Sequence, residues 1–320
     1  TFSATDDALN SGVNFDDRDT EWATQVNSRI GANVSVSETL SARFEYGVSG
    51  AVANLRHLYA TWDFGGGKLL VGHTETPINF AAGQVYGTDD GLNGYGVFNQ
   101  ARSSQITLIF DDLRLAFVNP ASTADAITSP GLTFDTDYTF PAIVASYSLA
   151  LNDFLSFKIA GAYKSMDVVD TSNDQGYSID AYLAAASATL NYDEFSLTAM
   201  TGIGQNIAHL NVAAGDAAIG TATWDTTATD VYDSDDLAYS IFATFKVNDM
   251  LSLGAGYSYL ESELKDGDDD SCAFYFNAPI ALADGVSITP EIGKLDYKNA
   301  ADNTDEGDTV YFGAKWQINF

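Results

Sequence analysis

Tight turns and long connections alternate along this chain without a break, and that rhythm limits its folds more than any other feature. Between them lie fifteen segments in which apolar and polar residues take turns. This is the period of a β-strand, whose successive side chains point to opposite faces. Residues 21–36 and 40–48 flank Ser37-Glu38-Thr39, and 55–64 and 68–74 flank three glycines. Asp111-Asp112 joins 101–110 to 113–118, and Asn152-Asp153 joins 140–151 to 154–164. Asp193-Glu194 joins 178–192 to 195–204, and Asn248-Asp249-Met250 joins 237–247 to 251–261. Asp284-Gly285 joins 272–283 to 286–297, and 308–320 stands last. Long polar connections at 75–100, 119–139, 165–177, 205–236, 262–271 and 298–307 separate the hairpins. A sandwich in water has no reason to collect tight turns at one end and long loops at the other. An antiparallel β-barrel crossing an outer membrane does, with short periplasmic turns and longer external loops. Thr1-Phe2-Ser3-Ala4, ahead of the acidic stretch 5–20, reads as the end of one further strand. The expectation is an all-β transmembrane barrel of sixteen strands, the first incomplete, in one domain over 1–320.

The faces support it. On the clearly alternating strands Arg29, Arg43, Arg114, Lys158, Lys164, Lys246 and Lys315 all fall opposite the apolar face. A basic side chain facing lipid at mid-bilayer would cost about 2–4 kcal/mol. The apolar face therefore meets lipid, and the polar face a wet interior that has no need of apolar residues. In the final segment Phe312, Ala314, Trp316, Ile318 and Phe320 face lipid, while Lys315 and Gln317 face water. The alanine-rich stretch 181–188 permits either register, and Arg56, Arg102 and Lys294 break parity, each explicable by a nearby β-bulge.

Composition agrees. Seventeen Tyr, nineteen Phe and 27 Gly against six Pro is strand-and-turn usage, and all-β barrels of 320 residues occur as one unit. The lone Cys272 forms no internal disulfide. No apolar run of 18 residues exists to form a transmembrane helix. Residues 1–10 lack the basic segment and apolar core of a signal peptide, so the chain is either not exported or already processed. A net charge of −30 argues against nucleic acid as a partner, since phosphate needs clustered Lys and Arg. The acids gather in the expected external loops, as at 16–19, 233–236, 266–270 and 302–308. Such a mouth attracts cations and repels anions. It also faces outer-membrane lipid, lipopolysaccharide included, where divalent cations would bridge like charges. Asp266, Asp268 and Asp270 have spacing that could hold Ca²⁺ through oxygen ligands. They lack the following Gly and distal Glu of an EF-hand loop, and a solvated anionic mouth explains them as well. No cofactor is required. His57, His73 and His209 stand in no catalytic or metal-ligand pattern, and nothing points to an enzyme.

Three stretches carry a family resemblance. LRHLYATWDFGGGKLLVGHTETP (55–77) and ARSSQITLIFDDLRLAF (101–117) resemble the strand pairs that enter and leave the third loop of the general diffusion porins of Gram-negative outer membranes. Trp316, Ile318 and the terminal Phe320 resemble the assembly signal of outer-membrane barrels. The resemblance implies a homotrimer of sixteen-stranded barrels passing ions and small hydrophilic solutes, with 75–100 folded inward as a constriction. It further implies wall arginines facing loop acids. Arg29 and Arg102 stand at family positions, Arg56 or His57 fills a third with parity favouring His57, and parity alone adds Arg43. The loop offers Asp89 and Asp90 opposite them, with Glu75 at its base, but lacks the family's usual PEFGG-like stretch. The plainer alternative is that Arg29 and Arg43 pair with Glu45 or Glu21 on neighbouring strands. Arg114, Lys158, Lys164 and Lys315 are expected along the lumen. Two rivals share the barrel: a channel specific for a peptide or sugar, hinted at by Tyr182 and Tyr275, and an adhesin or structural protein whose loop plugs the pore.

Overall fold

The structure is a computed structural model. It describes residues 2–7, 15–20, 22–25, 28–49, 52–80, 83–86, 92, 94–127, 133–171, 174–212, 219–225, 230–265, 267–302 and 304–319. For 2–7, 15–19, 49 and 299 it describes the backbone alone.

The chain opens with β1 (Phe2–Asp7) and β2 (Phe15–Thr20), then β3 (Arg29–Ser35) and β4 (Leu40–Ser49). Next come β5 (Val52–Asp63), β6 (Lys68–Thr74), β7 (Ser103–Phe110) and β8 (Leu113–Val118). β9 (Phe134–Asp137), β10 (Ala142–Ala150), β11 (Leu155–Asp170), β12 (Gln175–Tyr192) and β13 (Phe195–Gln205) follow. A small hairpin, β14 (Thr223–Asp225) and β15 (Asp230–Tyr232), stands apart from the main sheet. β16 (Asp235–Lys246), β17 (Ser252–Leu264), β18 (Gly267–Asn277), β19 (Ile280–Ala283), β20 (Val286–Asn299) and β21 (Asp305–Ile318) complete it.

Local chemistry makes the turns. Asn152 and Asn248 head two like turns, each side-chain Oδ1 accepting from the N–H groups two and three residues on. Asp111, Asp193 and Gly285 supply the positive φ that a two-residue hairpin turn requires.

The ladders are antiparallel and join nineteen strands in one sheet. β9 and β10 both lie against β11, broken at Pro141, and β18 and β19 both lie against β20, broken at Pro279. A proline has no N–H to give a ladder, so nineteen strands make seventeen staves. β1 pairs on one side with β2 and on the other with β21, Phe2 opposite Phe312 and Asp6 opposite Asp308. The edges are thus β2 and β3, which are consecutive in the chain. A flat sheet of seventeen staves would hold its edges about 77 Å apart, whereas the segment joining them reaches about 30 Å at most. The sheet therefore curls round on itself. Among the described residues no ladder joins β2 to β3.

Alternation runs through every long strand, but its meaning changes with height. On β11 the even positions from Ser156 to Val168 face inward and the odd ones outward. Low on the strand the outward residues are Phe157, Ile159 and Tyr163; higher up they are Ser165 and Asp167, and the buried inward ones are Met166 and Val168. The period persists while the apolar side switches from outside to inside. Two expected loops, 165–177 and 262–271, are consequently mostly strand. Their outward residues are polar because the barrel there stands in water, which disguised them as loops. The register of the alanine-rich stretch is settled with Ala181, Leu183 and Ala185 inside and Tyr182 outside. Outward aromatic residues gather in two bands: Trp62, Phe64, Phe110, Phe245 and Trp316 toward the tight turns, Tyr163, Tyr182, Tyr239 and Tyr257 nearer the long loops. Lys294 needs no bulge. It lies outward near the long-loop end, held by Asp296 at 3.0 Å and Asp308 at 2.7 Å.

Candidate functional site

The inner face of the sheet is divided by the segment between β6 and β7. Its neck is closed by Arg102 on Glu75 at 3.0 Å, and Asn79 Nδ2 donates to the same carboxylate. From the neck the segment passes β11, where Lys158 Nζ donates to Asn79 O at 2.6 Å and sits over the Phe80 ring. It then reaches the far wall. Glu291 on β20, buried, accepts from the backbone N–H of Val85 at 2.7 Å and of Tyr86 at 2.9 Å. Asn277 donates to Gly83 O and to Glu291, and Tyr86 stacks on Tyr311. On the return, Gly96 with φ of +113° lies so close to Tyr259 that a Cβ would meet its carbonyl oxygen at 2.3 Å. Gly202 leaves the space that the Phe98 ring fills.

These contacts make an apolar core inside the sheet. Ile78, Phe80, Leu92, Tyr95, Val97 and Phe98 pack with Ala160, Ala185, Met200, Leu260 and Tyr275 of the wall. The expectation of an interior that has no need of apolar residues is corrected for the β11–β21 half and for the long-loop ends of β8 and β10, where Ala116, Val118, Ala142 and Val144 are buried in the same core. A loop that lies against a wall must exclude water from the contact, so both surfaces are apolar there. Tyr275 is one of these buried residues, and Tyr182, outside, cannot line a lumen.

The other half is wet and basic. Between the loop and β3–β11 lies an open space of about 480 Å³, lined by Arg29, Arg43, His57, Tyr59, Arg114, Ser146, Ser148 and Lys158. Glu75 is the one carboxylate among its lining residues. Beneath, Glu45 is buried at the centre of a cationic cluster: Arg43 at 2.5 Å, Arg56 at 2.9 Å and Arg29 at 3.7 Å. The register shift between Glu45 and Tyr46 makes Arg56 the bulged residue of β5, so Arg56 and His57 both turn inward. Parity allowed for one of them; the bulge admits both. Arg29 and Arg43 thus pair with Glu45 as the plainer alternative had it, and they line the open space as well.

The remaining expected residues are distributed as follows. Asp89, Asp90, Asp266 and Phe320 lie outside the described residues. Ile318 and Trp316 are exposed on the outward face, and Lys315 lies on the inward row with Gln317. Asp268 and Asp270 share the outward face of β18, and no group of three or more His, Cys, Asp or Glu among the described residues is placed to hold a metal ion. Arg102 closes the loop neck and is not among the residues lining the open space.

Lys164 faces inward as expected but is sealed from water, and so lines no open lumen. Its ammonium lies 2.6 Å from Asp125, which is buried in a short 3₁₀ turn (Thr123–Asp125) beyond β8. Lys164 also donates to His209 O, His209 Nδ1 lies 3.0 Å from Asp125, and Tyr138 Oη donates to the same carboxylate. Burial alone would raise the Asp125 carboxyl, but these bonds from His209, Lys164 and Tyr138 outweigh it and hold it below the usual carboxylate range. Nothing in the sequence around Asp125 singles it out from the other loop acids.

No family model matches the sequence, and neither does any curated protein. Solved structures do match. The outer membrane channel DcaP of Acinetobacter baumannii superposes with a TM-score of 0.72 at 14% identity, covering 98% of this chain and 94% of that one. The anion-selective porin from Comamonas acidovorans gives 0.62 at 13% identity, over 100% and 99% of the two chains. OmpT, an outer membrane protein of Vibrio cholerae in its trimer form, gives 0.59 at 15% identity, over 100% and 97%. At such identities the likeness is one of fold, and the fold is that of the outer-membrane porins.

Proposed function

From the porin fold and its divided lumen we propose that the chain is a passive outer-membrane channel for ions and small hydrophilic solutes. The observation that carries this reading is the open, charged space left between the loop and the β3–β11 wall. The segment 75–100 is its constriction, held to one side by Glu291, Asn277 and the apolar core rather than lying free across the lumen. Taking β2 and β3 as one interrupted stave makes a ring of sixteen. Three such barrels assemble as a trimer, the form in which the Vibrio cholerae relative was solved. The outward aromatic bands mark where lipid headgroups begin, and the acidic loops beyond them collect cations at the mouth.

The test is purified protein in a planar bilayer. Stepwise conductance, in groups of three for a trimer, is expected. A plugged barrel serving as an adhesin gives no steps, and a channel specific for a peptide or sugar gives small steps that its solute blocks.

A further inference from the structure

We infer that the narrow part of this channel selects small anions, and that the selecting station is built by Arg114, Ser146, Ser148 and Lys158. The inference rests on the channel reading above. These four residues come from three adjacent staves: Arg114 on β8 lies opposite Ser146 on β10, and Ser148 lies opposite Lys158 on β11. Neighbouring strands are about 4.8 Å apart, so two cations flank two hydroxyls on one inward patch about 10 Å wide. All four line the open space. Among the described residues Arg114 makes no ion pair and no hydrogen bond, so its five donors face water. Lys158 is held by a carbonyl and a ring, neither of which neutralises it. Glu75, the one carboxylate lining the space, is bound to Arg102 at 3.0 Å, and Asp112 lies in the exposed turn at its rim. The guanidinium, ammonium and hydroxyl donors that remain suit an oxyanion or chloride.

The acidic mouth does not reverse this. Lys158 and Asp167 stand nine residues apart on β11, about 30 Å along the strand, or roughly three screening lengths at physiological salt. Charges in the narrow part act on the ion at contact distance, where a unit charge about 6 Å away in water changes local ion concentration about threefold. The mouth sets how many cations gather outside; the station sets which ions cross.

The experiment measures reversal potential across a bilayer holding the full-length channel in a potassium chloride gradient. Wild type is expected to pass chloride over potassium. Arg114→Gln should lower the chloride-to-potassium permeability ratio by about threefold or more. Ser148→Asp, which adds the opposite charge across from Lys158, should lower it at least as far. Lys246→Gln, which removes a charge paired with Asp249 beside a tight turn, should leave the ratio unchanged. Open wild-type channels that prefer potassium, or an equal shift from Lys246→Gln, overturn this inference and leave the channel reading standing. Absence of any conductance overturns both.

Discussion

The two halves of the lumen wall are made of the same alternating strands, yet one ends in water and the other in an apolar core. From β3 to β10 the inward residues facing open space include Arg43, His57, Arg114, Ser146 and Ser148, and only the long-loop ends of β8 and β10, at Ala116, Val118, Ala142 and Val144, join the apolar core. From β11 to β21 they include Ala185, Met200, Leu260, Tyr275 and Tyr311, facing the loop. Each half also buries a carboxylate among cations, to different ends. Glu45 sits among three arginines with a surplus of positive charge left over for the lumen. Asp125 is matched to Lys164 and satisfied by His209 and Tyr138, and tethers loops whose sequence positions are far apart. The wet half keeps charge facing open space; the dry half uses charge to hold the loops still.

The contrast breaks first at Asp125. Asp125→Ala would leave Lys164 and the His209 N–H buried without their partner, a loss of about 3–5 kcal/mol when one member of a buried pair is removed. Thermal unfolding in detergent should fall accordingly, and protease should cut within 119–139 and 205–236. The same group predicts acid sensitivity. Its folded carboxyl is held below its unfolded value of about 3.9, so its stabilisation is complete above that value and is lost as pH falls through the folded one. Wild type is expected to lose stability below about pH 4, and Asp125→Asn to lack that component of the loss.

Next in size is Phe98, the buried anchor of the returning loop. Phe98→Ala empties the seat beside Gly202 and should cost about 3 kcal/mol or somewhat more. The loss falls on the loop rather than on the ladders, so conductance should become noisy at temperatures where the barrel itself is intact. A quiet channel with a lowered unfolding temperature would mean that loop and barrel melt together and that the dry half is one unit.

How much of this could be read from the chain follows from what each signal depends on. Strands and tight turns were legible because period two, Asp111-Asp112 and Asn152-Asp153 are local signals. The bulge at Arg56 was legible as a break in parity. The dry half was not, because Ala181, Leu183 and Ala185 alternate with Tyr182 and Ala184 on both sides, and only the loop's position tells which apolar face meets which neighbour. Ile78, Phe80, Val97 and Phe98, apolar residues inside an otherwise polar connection, were the one available sign. Lys164 misled because parity fixes the side a residue faces and says nothing of what covers it. Asp125 was invisible, since its partners Lys164 and His209 lie 39 and 84 residues away.

A smaller effect is expected at Glu291, which belongs to the dry half but serves the loop through hydrogen bonds alone. Glu291→Gln keeps one acceptor oxygen for the N–H groups of Val85 and Tyr86 and loses the other, at about 1–3 kcal/mol for a buried group left unsatisfied. The loop should loosen at its far anchor, read as more frequent transitions between conductance levels, with unfolding temperature lowered less than in Phe98→Ala.

The smallest change in stability is expected from Arg114→Gln, where the largest change in ion preference is expected. Arg114 makes no ion pair or hydrogen bond among the described residues and lies against water. Substitutions at such positions stay within about 0.5 kcal/mol. Removing it also relieves repulsion from Lys158 across the station, so any change should be toward greater stability. Equilibrium unfolding in denaturant, followed by tryptophan fluorescence, measures the difference directly. A loss comparable to that of Phe98→Ala would show that Arg114 holds the wall together, and the wet half would then be as structural as the dry one. Unchanged unfolding together with a shifted reversal potential is the outcome that separates a wall built to carry charge from a wall built to be covered.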